Sequence, residues 1–96
     1  MVRVAAYVPN LMDRSRFPDQ TTFISNASNL SDLEVDLVIV DLARCENLVD
    51  FVQEHVETIG FGPHVDSKLA AEAVAAGYTD VLTRSVFFNR LETLLS

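Results

Sequence analysis

Asp36-Leu37-Val38-Ile39-Val40-Asp41 is a short apolar run closed at each end by a carboxylate. Val38, Ile39 and Val40 are β-branched and favour extended backbone, and the run is apolar on both alternating faces. That profile predicts a strand buried on both sides, the situation of a central strand in a parallel sheet covered by helices. Working outward, Val2 to Val8 is an apolar segment of strand length ended by the turn signal Pro9-Asn10. Downstream, Val56 to Phe61 and Thr79 to Thr83 predict two further strands, and Thr21 to Ser25 a weaker fifth.

Helical patterns separate these strands. Leu48, Phe51, Val52 and His55 recur at steps of three and four, predicting a helix from Glu46 to His55. Asp66 is a natural N-cap for a second, with Leu69, Ala70, Ala73 and Val74 as its buried stripe and Gly77 as its stop. A third is predicted from Ser85 to Leu95, with Phe87, Phe88, Leu91, Leu94 and Leu95 inward. Parallel neighbours require crossover connections, so strands alternating with helices give an α/β class with one five-stranded parallel sheet. The first two crossovers, Pro9 to Gln20 and Asn26 to Val35, barely reach the roughly 10–12 residues that a helix-bearing connection needs. Each has room for one or two turns: Leu11 to Phe17, stopped by Pro18, and Asn29 to Leu33. The first and second helices are therefore expected to be short.

The chain has 96 residues, enough for a single domain, 1–96, with a packed core. Fourteen Asp and Glu against seven Lys and Arg leave a net charge of −7, and the cations are scattered along the sequence. That balance repels phosphate backbones and argues against a nucleic-acid partner. No apolar run approaches the roughly 20 residues of a membrane span, and Pro9, Asn10, Asp13 and Arg14 interrupt any signal-peptide core after Met1. A cytoplasmic chain is expected, in keeping with a lone cysteine, Cys45, which has no internal disulfide partner.

Candidate sites are few. Gly60-Phe61-Gly62-Pro63-His64 is expected to follow the fourth strand and precede a helix, where open α/β sheets bind anions or nucleotides. It lacks the third glycine of a dinucleotide motif and the lysine of a P-loop, so a tight turn with Gly60 permitting close packing is the plainer reading. His64 and Asp66 fit no metal-ligand spacing; Asp66 as a cap beside an exposed His64 is favoured. His55 reads as a favourable charge near a helix C-terminus. Asp41 in its own right is a polar residue closing a buried strand, and Cys45 has no motif around it. Ser15, Ser67 and Ser85 have no recognisable His and Asp partners for a hydrolase triad.

Three local matches carry a resemblance. Asp36 to Leu42, Ala75 to Arg84, and Gly62, fifteen positions before Gly77, resemble segments of the receiver domain of bacterial response regulators, a fit that covers Val35 to Ser96. The segments Val8 to Phe17 and Ile59 to Asp66 are similar to those of small stand-alone receiver-like bacterial proteins. The resemblance implies a flavodoxin-like sheet of order 2-1-3-4-5 and puts the phosphoacceptor position on Asp41. It also puts Gly62 where receivers carry a switch Thr or Ser, Arg84 where they carry Lys, and Ser85 where they carry Pro. Pro9-Asn10 stands where they carry the acidic pair that holds Mg²⁺. Proline supplies no carboxylate, asparagine is a weak neutral ligand for a hard cation, and Gly62 has no hydroxyl.

The expectation is a pseudo-receiver regulatory module: not an enzyme, with no metal or cofactor, working by protein–protein contact without phosphorylation. One alternative is a phosphoacceptor active at Asp41 with a rearranged metal site that uses Asp13. Another is a small anion- or nucleotide-binding domain using the Gly60 to His64 loop. Arg84 is expected to pair with Asp41 or with a phosphate. The shortened first helix is expected to leave part of one sheet face, beside Val4, Tyr7 and the last helix, to a protein partner or a second copy, with a homodimer preferred. The surface of Ala70 to Leu82 and Phe87 to Leu95, which receivers use for pairing, is a second candidate.

Overall fold

The computed structural model describes residues 3–95; Val2 and Ser96, the ends assigned to the first strand and to the receiver-like span, lie outside them. Five strands form one parallel sheet: β1 Val4–Tyr7, β2 Thr22–Phe23, β3 Leu37–Asp41, β4 Glu57–Gly62 and β5 Asp80–Thr83. Their spatial order is β2-β1-β3-β4-β5, that of a flavodoxin-like α/β fold. Every residue of β3 is buried, as its two-sided apolar pattern predicts. Registers such as Val4 with Leu37 and Val40 with Gly60 bring the carboxyl ends of β1, β3 and β4 to one edge.

Period-two alternation splits the strand residues between two cores. On one face Val4, Ala6, Val8, Leu37, Ile39, Ile59 and Phe61 pack under Phe87 and Leu91 of α3, Arg84–Leu95. Phe17 completes this face, edge-on to Phe23 and Phe88, while Phe61 stacks on Phe87 at 4.6 Å. On the other face Ala5, Val38 and Val40 meet Ile24, Leu30, Leu42, Phe51, Ala73 and Tyr78. Tyr7 belongs to this second face, 4.7 Å from Phe51, and donates its hydroxyl to the Arg44 carbonyl. Its assignment beside Val4 and the last helix is thereby corrected: the two residues are an odd number apart in a strand and point oppositely.

The first crossover holds only α1, Leu11–Arg14. The second holds one 3-10 stretch, Ala27–Asp32, capped by Asn26 and Asn29 acting reciprocally. Both are as short as their connections require. The helix expected over Glu46 to His55 is not formed: a 3-10 turn at Leu48–Phe51 is followed by extended backbone at Val52. Asn47 makes no side-chain cap bond there. His55 takes a left-handed conformation, φ 65°, in the turn into β4, so it ends no helix. Helix α2, Ser67–Ala76, follows expectation, with Asp66 capping the Leu69 N–H at 2.8 Å and left-handed Gly77 closing it. Its Val74, placed in the buried stripe, is 61% exposed, because Ala73 alone of the helix is fully covered by the sheet. No helix among the described residues is long and apolar enough to cross a membrane.

Candidate functional site at the strand ends

In flavodoxin-like order the chain reverses direction between β1 and β3, and ligand crevices form at the carboxyl ends there. Four sequence candidates come to this edge. Asn10 follows β1 and caps α1, its Oδ1 accepting the backbone N–H groups of Met12 at 2.9 Å and Asp13 at 3.3 Å. Asp41 ends β3, buried, its Oδ1 accepting the Ala43 N–H at 3.1 Å. Gly62 ends β4 opposite Thr83, and Arg84 begins α3 directly after β5.

The decisive contact joins Arg84 to Asp13, which the sequence offers only as a ligand of a rearranged metal site. Arg84 Nη1 donates to Asp13 Oδ2 at 2.7 Å and Nη2 to Asp13 Oδ1 at 2.6 Å, a bidentate charge-assisted pair. Capping by Asn10 rotates Asp13 inward from α1, and the carboxylate is buried. Arg84 therefore pairs with Asp13 instead of Asp41. The Arg84 hydrogen bond holds the Asp13 carboxyl below its ordinary value, against burial and with help from the charges of Arg84, Arg16 and Arg44. Asp41 goes the other way: burial raises its carboxyl, the Ala43 N–H opposes this, and the nearby charge of Asp13 adds to the rise.

A divalent cation here would need several free oxygen ligands. Both Asp13 oxygens accept from Arg84, and Asn10 Oδ1 is bound to two backbone donors. A guanidinium fixed on one of two carboxylates also opposes a second positive charge. The residues do not fit such a metal, and among the described residues no three His, Cys, Asp or Glu side chains converge.

Gly60, Phe61 and Gly62 are the last residues of β4, which corrects the placement of the Gly60 to His64 segment as a loop beyond the strand. Gly60 is paired with both Val40 and Val81, and a Cβ on it would lie 2.8 Å from Leu42 Cδ2, so its small size serves packing. His64 is exposed past the strand, beside the capping Asp66. Cys45 donates to the Asn47 carbonyl, and burial raises its thiol, the opposite of an activated nucleophile. Asp13 sits in the first turn of α1, three residues after the capping Asn10, and folds back from there to the edge that Arg84 also reaches. No family model, curated protein or solved structure significantly matches the chain.

Proposed function

We propose that the chain is a receiver-like regulatory module that acts through protein contacts, without phosphorylation and without catalysis. The observation that supports this reading is the bidentate Arg84–Asp13 pair. Phosphoryl transfer to a carboxylate depends on positive charge and hydrogen-bond donors aimed at the moving phosphoryl oxygens. At the edge holding Asp41, the Arg84 fork is committed to Asp13, Gly62 has no hydroxyl, and Asn10 is bound into a helix cap. Asp41 is tied to its own following turn and acts as a structural cap. A cytoplasmic setting, in which Cys45 stays a thiol, belongs to the same reading.

The test is incubation with acetyl phosphate and Mg²⁺ followed by intact-mass measurement. No phosphoryl adduct is expected. An adduct that disappears in Asp41→Asn would overturn the reading in favour of an active phosphoacceptor.

A further inference from the structure

Where a full first helix would lie against α3, this chain has only the segment from Arg14 to Pro18. A groove remains there, lined by Arg16, Pro18, Phe88, Asn89, Leu91 and Glu92. Half of its lining residues, Pro18, Phe88 and Leu91, are apolar, and they run into the core beneath, since Leu91 is buried within that core and Phe88 packs against it. Neither of its two charged residues is in an ion pair among the described residues. The Arg16 guanidinium lies 3.9 Å over the Phe88 ring, which fixes its position, and although its charge is felt at Asp13 the two form no ion pair. Glu92 lines the same groove, with no ion pair to a cation among the described residues.

We propose that this groove is the contact surface of a two-fold homodimer in which Arg16 of each copy pairs with Glu92 of the other. An acidic partner segment would satisfy Arg16 and leave Glu92 against like charge; a basic one would do the reverse. A second copy of the same face, turned by a two-fold axis, satisfies both, because in such an interface residue i meets j and j meets i. Antiparallel apposition of the two α3 helices also covers the apolar lining residues with their own counterparts. The proposal names the partner for the contact-mediated reading above. Oligomeric state is measured without reference to phosphorylation, so the two readings fail separately.

The experiment is sedimentation equilibrium on the wild type, Arg16→Glu, Glu92→Arg and an equimolar mixture of the two variants. Dimeric wild type is expected, with each variant weakened at least tenfold by two like-charge contacts. The mixture should regain the wild-type dimer affinity, because in the mixed dimer the two substituted side chains face each other with opposite charge and the second contact is native. That recovery shows that both variants are folded. A monomeric wild type at micromolar concentration, which leaves the groove to a different protein, overturns the proposal. So does a variant that dimerises as the wild type does, or a mixture that stays monomeric.

Discussion

At Arg84 the positive charge of the strand-end edge is committed within the fold, and two carboxylates of that edge are shifted in opposite directions, Asp13 downward by its Arg84 hydrogen bond and Asp41 upward by burial. Asp13 is held low by Arg84, so its contribution to stability is present above its unfolded value of 3.8 and is lost as pH falls through the lower folded value. Arg84→Ala strands that buried carboxylate. Breaking a buried pair costs ~3–5 kcal/mol, but the Arg84 side chain is 37% exposed, so a loss of about 2 kcal/mol is expected. In thermal melts the deficit should be full at pH 7 and shrink below 3.8, as Asp13 becomes protonated; a pH-independent deficit would show that packing dominates. Asp41, raised by burial, disfavours its own ionisation, so the fold loses stability as pH rises through the range above 3.8. Asp41→Asn keeps an oxygen for the Ala43 N–H and removes the charge. It should stabilise the protein at pH 7 by about 1 kcal/mol, with the gain gone in acid. Destabilisation at pH 7 would mean that ionised Asp41 has a partner in the native state.

Among the elements, β4 makes the sharpest distinction between two residues of one type. A Cβ at Gly60 would lie within 2.9 Å of three Leu42 side-chain atoms, whereas one at Gly62 finds its nearest neighbour at 3.7 Å. Gly60→Ala should cost about 1–3 kcal/mol by overpacking, while Gly62→Ala should stay within about 0.5 kcal/mol; urea unfolding of the pair reads the difference. Equal effects would contradict a packing role for Gly60. The same strand shows why some of this fold was legible and some was not. The strands β1, β3, β4 and β5, the helices α2 and α3, and the shortness of the first two crossovers follow from local patterns: β-branched runs, Asp66 and Gly77 as caps, Pro18 as a stop. The stretch from Glu46 to His55 misleads, because Leu48, Phe51 and Val52 satisfy a single buried turn as well as an amphipathic helix. What decides between them is tertiary: the Val52 side chain sits 2.8 Å from where a Cβ on Gly77 would be, so the segment is shaped by the end of α2. The candidate site divides in the same way. Asp41, Gly62, Asn10 and Arg84 are grouped by the receiver resemblance, and the strand ends do bring them to one edge, but the partner of Arg84 lies 71 residues away, beyond any local pattern.

Across the whole molecule, support for the sheet is uneven. The centre, β3, is paired on both sides and buried throughout, and β1 and β4 flank it. On the α3 side a phenylalanine cluster of Phe17, Phe61, Phe87 and Phe88 ties the first crossover to the last helix. The opposite end is different. Edge strand β2 has two residues, and it leads into 3-10 backbone from Ala27 to Asp32, anchored by half-buried Phe23 in the first core and by Ile24 and Leu30 in the second. Isolated 3-10 turns have poorer hydrogen-bond geometry than α-helix, and an edge strand is held by one neighbour only. Free energies of local opening follow such differences in burial and hydrogen bonding. Native-state hydrogen exchange should therefore divide the chain: amides of Val38 to Asp41 and Thr58 to Phe61 exchange only through global unfolding. Those of residues 22–32 open at lower free energy and with a smaller denaturant dependence, because less surface is exposed. The measurement is peptide-resolved exchange across a sub-denaturing urea series. If residues 22–32 merged with the β3 isotherm at all urea concentrations, Phe23, Ile24 and Leu30 would bind that edge of the sheet into a single cooperative unit with its centre.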